Sequence, residues 1–369
     1  MDPGTCQATY LLGLSQAHAL QEQSVAAKTL QQRHKNAREL ADWLQSTNIG
    51  RTLHSCLPED IMVYLTTHWL PRHVGTTTKL GHKLAAPGSL SGLKSSLATE
   101  LEQLGRTGEW NPVTAQGNPM QSNQLRRMTK GYKADAAKQG YEQRAAEPIF
   151  SAKIKTLLEY LMAKQQELAG SDRLLLIRDG LIISMLWQSC FRGFNVGELR
   201  LSNFKTPTNS PAIPFLVPEM TLQAGSQLHI FPDVTKNRKG GHCTVTLSCD
   251  IMCFTTWLQL AVESSEDLKQ PITNYIVRPL QRGTKVFAEK GLSSSAIAGR
   301  FNAHLRAIDQ YTGETVHSTR RGKMIESTVA HQAPLEQVQT DAMILSKAIA
   351  LRYIDTTRPT RVKADHASL

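Results

Sequence analysis

Val316-His317-Ser318-Thr319-Arg320-Arg321-Gly322 is the stretch on which the reading of this 369-residue chain turns. His317 and Arg320 stand three apart in a helix-compatible run, so both side chains can face one point. An arginine fork can grip two phosphate oxygens at once. An imidazole can hydrogen-bond a phosphate oxygen or carry a proton near neutral pH. Taken alone, such a pair is a weak signal, and a solvated helix face is its usual explanation.

Working outward, Tyr353 follows Arg320 by thirty-three residues, in Leu351-Arg352-Tyr353-Ile354-Asp355. A free tyrosine ionises near pH ~10, so a nucleophilic one needs cationic neighbours to take on phenolate character. A tyrosine packed at a core edge is the structural alternative. Upstream, Arg192 ends the apolar run Leu181–Phe191 and precedes Gly193. A buried helix that delivers an arginine at its end can aim it at an anion; an ion pair with Glu198 is the other reading. Lys236 lies in Thr235-Lys236-Asn237-Arg238-Lys239-Gly240-Gly241, between two alternating segments, Leu228–Phe231 and Cys243–Leu247. That pattern predicts a hairpin. A lysine at its tip can enter a DNA groove, or can simply protect a sheet edge.

The whole chain carries 42 Lys+Arg against 31 Asp+Glu, a formal net charge of +11 and a pI near 9.4. This favours a polyanionic partner, most often nucleic acid. The length suits two domains. Six cysteines, at 6, 56, 190, 243, 249 and 253, form no CxxC pair and have no partner set at zinc-finger spacing. They read as buried thiols of an intracellular protein rather than as a metal site or disulfide framework. No secretory signal is evident, and the most apolar stretch, Leu181–Trp187, is far too short to span a bilayer.

Periodicity predicts helices at 24–46, 58–70, 89–104 and 121–139 in the first part. Pro58 is placed to open the second, and Gly105 and Gly140 to close the third and fourth. The fourth is basic, with Arg126, Arg127, Lys130, Lys133 and Lys138 set against Asp135. Residues 141–151 read as an interdomain joint, with Pro148 disfavouring helix before it. Beyond it, helices are predicted at 151–168, 172–190, 251–263, 294–311, 316–330 and 345–355, around the hairpin.

The order of first arginine, hairpin lysine, His-x-x-Arg and tyrosine resembles the tyrosine recombinase (phage-integrase-like) family. The resemblance covers most of the chain. Arg192-Gly193-Phe194-Asn195-Val196-Gly197-Glu198-Leu199 looks like the family's first arginine box, and Thr235-Lys236 like its hairpin lysine. Val316–Gly322 looks like the second box, and Leu351–Ile354 like the nucleophile helix. Glu100–Gly105, Trp110–Pro112 and Gly117–Pro119 read like the approach to the closing helix of the family's helical core-binding domain. The long first box is similar to recombinases of eukaryotic mobile elements of the Crypton or DIRS-like kind.

The resemblance implies a mostly α fold: an all-α, SAM-like core-binding domain at 1–145, and at 152–369 a mixed α+β catalytic domain with a small antiparallel sheet. It implies a site-specific recombinase or integrase of a mobile element, acting on double-stranded DNA through a 3′-phosphotyrosine. Tyr353 would attack, Arg192 and Arg320 would hold the non-bridging oxygens, His317 would assist and Lys236 would protonate the leaving oxygen. Arg126, Arg127, Lys130, Lys133, Arg238 and Lys239 would bind the DNA backbone. No metal or other cofactor is implied, nor any membrane; the assembly would be a tetramer on paired sites, in the nucleus if the host is eukaryotic. Two positions depart from the family. Three residues after Arg192, where an acid is often found, stands Asn195, with Glu198 further on. Nine residues before the nucleophile, where His or Trp is usual, stands Ile344, which cannot donate a hydrogen bond; Lys347 is a nearby candidate substitute. A DNA-binding relic and a type IB topoisomerase-like relaxing enzyme are the competing functions.

Overall fold

The computed structural model describes residues 12–13, 15–16, 27–143, 145–206, 225–233 and 241–357. The chain divides into two compact units, Met1–Gln143 and Arg144–Leu369. Among the described residues no helix is long and apolar enough to cross a membrane.

The first unit is built from α1 (Ala27–Ser46), α2 (Pro58–Val63), α3 (Pro87–Gln103) and α4 (Asn123–Lys138). Pro58 and Pro87 each stand in the first turn of their helix, where the missing N–H has no intrahelical partner to lose. The helix that starts at Pro58 does not stay α-helical. Tyr64–Trp69 is a π-helical segment, followed by a last α turn at Leu70–Arg72. Ser122 caps α4 by accepting from the Leu125 amide, and Gly105 and Gly140 follow α3 and α4 with positive φ. A two-residue antiparallel pair, β1 (Thr76–Thr77) with β2 (Lys83–Leu84), joins the helices. Leu40 and Leu44 of α1, Ile61, Tyr64 and Leu65, Leu90, Leu97 and Leu101 of α3, and Leu125 of α4 form one core.

The second unit is organised around α6 (Gly170–Ser189), which is buried on nearly all sides. A helix apolar all round belongs at the centre of a domain. α5 (Ser151–Gln166) and α8 (Phe254–Asp267) pack along it. Gly180 makes the second contact possible: a Cβ there would lie 2.2 Å from a ring carbon of Trp257. The periodicity places α8 three residues early. Cys253 is extended and its amide closes a turn onto the Asp250 carbonyl, so the helix starts at Phe254.

The hairpin is present as β4 (Gln227–Ile230) and β5 (Cys243–Thr246), with Ile230 opposite Cys243. Leu228, Ile230, Cys243 and Val245 turn one face into the core, the alternation that identifies the strands in the sequence. A two-residue strand, β3 (Phe204–Lys205), adds to β4 and is too short to leave a pattern. Its tip, with Lys236, Arg238 and Lys239, lies outside the described residues.

Beyond the sheet come α9 (Ser294–Ala307), α10 (Val316–Val329), α11 (Leu335–Asp341) and α12 (Lys347–Ile354). α9 stops short of the expected 311 because Asp309 is left-handed, with φ 54°. α12 begins where the Ser346 hydroxyl accepts from the Ile349 amide. Five of the six cysteines are described, and all are free: Cys56, Cys190, Cys243 and Cys253 buried, Cys249 exposed.

Candidate active site

α6 ends at Cys190, a left-handed residue with φ 53° and ψ 22°. The chain reverses there, and Arg192 becomes the N-cap of the short helix α7 (Gly193–Gly197). Gly197 is held against the Leu292 carbonyl, 1.9 Å from where a Cβ would stand, so this turn admits no side chain. Among the described residues no salt bridge joins Arg192 to Glu198; those of the neighbouring arginines are Arg178–Asp179 and Arg200–Asp233.

α10 supplies two faces. On one, His317, Arg320 and Met324 follow the i, i+3, i+7 spacing of a helix stripe. Arg320 is 2 % exposed. Its Nη1 donates to the Cys190 carbonyl at 2.8 Å, and its Nη2 to the Ala342 carbonyl. Its guanidinium carbon lies 5.4 Å from the centre of the Tyr353 ring, within cation–π range. Its Nε is buried without a hydrogen-bond partner. Both terminal nitrogens are thus committed to the fold, and Nε is the nitrogen left without a partner.

His317 sits at the surface one turn before Arg320. Its pKa is lowered, first by the protein mass crowding the ring and then by the Arg192 and Arg320 charges. Burial also lowers the pKa of Arg320; Tyr353 and Cys190 act against that shift and Arg192 adds to it. Arg192, His317, Arg320 and Tyr353 therefore share one electrostatic neighbourhood, dense in positive charge.

The second face of α10 carries Ser318, Arg321, Gly322 and Glu326. Arg321 is 3 % exposed. It donates through Nη1 to the Ala146 carbonyl at 2.7 Å, through Nη2 to the Asp355 carbonyl at 2.7 Å, and through Nε to the Tyr353 carbonyl at 3.3 Å. The Ser318 carbonyl accepts from the Ile149 amide at 3.1 Å. Gly322 lies so close to Ile149 that a Cβ would fall 1.7 Å from its carbonyl oxygen. Glu326 accepts from the Ser151 amide at 2.9 Å, capping the start of α5. Reasoning from the sequence assigned Arg321 no role, although it adjoins Arg320. Its partners are backbone atoms up to 175 residues away, and nothing in a linear pattern marks them.

Ile344 is buried in a small cluster with Cys190, Met324, Val338, Ala342 and Ala350, against which Tyr353 packs. Lys347 is exposed at the start of α12. Among the described residues no group of three or more His, Cys, Asp or Glu side chains could hold a metal ion.

In the first unit, Arg126, Arg127, Lys130 and Lys133 are exposed on α4. Arg126 pairs with Glu109 at 3.2 Å, a surface contact of little energy. Lys94 of α3 joins this patch unannounced by the sequence, its Nζ donating to Thr129 at 3.0 Å. Burial lowers its pKa, and the Lys133 and Arg126 charges add to that. A surface where cations crowd one another suits an anion.

No protein-family model matches the chain, and no curated protein matches it. Among solved structures it is similar to a lambda integrase dimer bound to a COC′ core site, at 12% identity and a TM-score of 0.49, over 94% of this chain and 78% of that one. It is similar to the Tn1549 transposon integrase in complex with circular intermediate DNA, at 11% identity and a TM-score of 0.46, over 92% and 94% of the two chains. It is also similar to XerA recombinase, at 11% identity and a TM-score of 0.36, over 92% and 90%. All three are tyrosine recombinases, the family whose order of residues this sequence resembles.

Proposed function

We propose that the chain is a site-specific DNA recombinase that cleaves and rejoins double-stranded DNA through Tyr353, serving integration or excision of a mobile element. One observation carries the reading: the Arg320 guanidinium, with an uncommitted buried Nε, lies over the Tyr353 ring in the neighbourhood of Arg192 and His317.

The Tyr353 hydroxyl attacks a backbone phosphorus. A 3′-phosphotyrosine forms, and the bond to the 5′ oxygen breaks. Arg192 and Arg320 hold the non-bridging oxygens, where charge builds in the transition state. His317, whose lowered pKa favours the neutral imidazole, is available to accept the phenol proton. Lys236, which stands between β4 and β5 in the sequence, delivers a proton to the leaving 5′ oxygen. A 5′-hydroxyl from a second duplex reverses the step and regenerates Tyr353. Arg126, Arg127, Lys130 and Lys133, with Arg238 and Lys239, contact phosphates; this makes affinity salt-dependent without reading sequence. Exchange between two duplexes asks for a tetramer on paired sites.

Nicked duplex DNA from the flanks of the gene tests this, by denaturing electrophoresis after incubation. Wild type is expected to form a covalent protein–DNA adduct, and Tyr353→Phe to form none while binding DNA equally well. A wild-type protein that binds but forms no adduct overturns the proposal in favour of a binding relic. Ile344 favours that second reading, since an apolar side chain fills the place of a usual donor. Relaxation of supercoiled DNA by a lone protomer, without strand exchange, would favour the topoisomerase-like reading.

A further inference from the structure

We propose that Arg321 is a positioning residue that ties the nucleophile helix to the segment through which the chain enters the second unit. Its catalytic consequence rests on the function proposed above; the tie itself does not.

The helical spacing of α10 separates two tasks. Arg320 turns toward Tyr353, whereas Ser318, Arg321, Gly322 and Glu326 turn toward residues 146–151. Three of these four hold that segment by hydrogen bonds: Ser318 to Ile149, Arg321 to Ala146 and Glu326 to Ser151. Gly322 lets the Ile149 backbone lie directly on the helix. Arg321 alone of the four also reaches the far end of α12, at the carbonyls of Tyr353 and Asp355.

Those carbonyls matter because a helix end leaves its last carbonyls without intrahelical partners. α12 has only eight residues and cannot hold itself rigid in water. A cation at its C-terminus also suits the helix dipole. Arg321 meets both needs at the residue that bears the hydroxyl. The same planar guanidinium binds Ala146, so a shift of the entering segment and a shift of Tyr353 each disturb one shared group. The orientation of Tyr353 is thereby made to depend on how residues 146–151 are seated.

Hydrogen exchange by mass spectrometry on the full chain tests the tie without relying on activity. Arg321→Lys keeps the buried charge but cannot span three carbonyls with one ammonium. It is expected to raise exchange at least tenfold in both 146–151 and 350–356, with α6 and α8 unchanged. Gly322→Ala, which touches neither the guanidinium nor Tyr353, is expected to loosen 146–151 and, through Arg321, 350–356 as well. If either variant loosens one segment and leaves the other at wild-type protection, the tie is refuted. The nicked-DNA assay then reads the consequence. Arg321→Lys is expected to slow adduct formation tenfold or more, with DNA Kd within twofold of wild type. A wild-type rate in that variant refutes the positioning role. Coupled exchange in a wild-type protein that forms no adduct would instead refute the recombinase reading and leave the tie standing.

Discussion

Arg320→Ala is expected to reduce covalent adduct formation on nicked DNA by roughly 100- to 1,000-fold, the usual loss when one aligned donor to a developing oxyanion is removed. It is expected to destabilise the fold as well. Its two terminal nitrogens satisfy the Cys190 and Ala342 carbonyls, and stranding buried acceptors costs about 1–3 kcal/mol each. Arg320→Lys separates the two effects. A lysine keeps the charge beside Tyr353 but loses the fork, so it should recover part of the stability and little of the rate. Thermal melts and single-turnover trapping on the same preparations check this. A lysine variant that cleaves like wild type would mean that Arg320 is a structural strut with no part in the chemistry.

The second large effect lies away from the site. Asp179→Asn is expected to cost about 3–5 kcal/mol, as breaking a buried ion pair on one side does. The Asp179 carboxylate is 1 % exposed and accepts from Arg178 at 2.8 Å, Arg300 at 2.7 Å and His304 at 2.7 Å. Arg178 also donates to the Arg278 carbonyl at 2.9 Å. An asparagine leaves the Arg178 and Arg300 guanidinium groups without a counter-charge. Burial by itself would raise the carboxyl pKa, but the His304 hydrogen bond and the charges of Arg178 and Arg300 outweigh it, bringing it from 3.8 to about 2. A depressed carboxyl pKa means that the unfolded chain binds the proton first. The stabilisation is therefore complete above about pH 4 and is lost as the pH falls toward about 2. Acid titration followed by circular dichroism should show a shallower acid limb in Asp179→Asn, and urea melts at neutral pH a lower midpoint. Equal midpoints would refute the central role of this carboxylate.

Elements with a local cause were legible in the sequence. Pro58 opens a helix, Gly105 and Gly140 close two others, and alternation about Leu228 and Val245 marks a hairpin. These depend on neighbours within a few residues. The one-turn spacing of His317 and Arg320 on a single helix was legible for the same reason. Elements with a distant cause were not. The π-helical segment Tyr64–Trp69 follows no local signal, and α11 is too short to show a period. Arg321 and Arg320 look alike as neighbours, but one holds Ala146 and the other Cys190. Asp179 did leave a mark: Arg178-Asp179 is a charged pair within the apolar run Leu174–Trp187, and such a pair is kept only where partners meet it.

The small cluster around Cys190, Ala342, Ile344 and Ala350 has a thermal consequence. It is a satellite of a far larger core, yet both carbonyls that aim Arg320 and the packing of Tyr353 belong to it. Small clusters open at lower free energy than the domain that carries them. On warming, the site should thus come apart while α6 and its neighbours are still folded. Inactivation would then precede melting, and cooling would restore it without refolding of the domain.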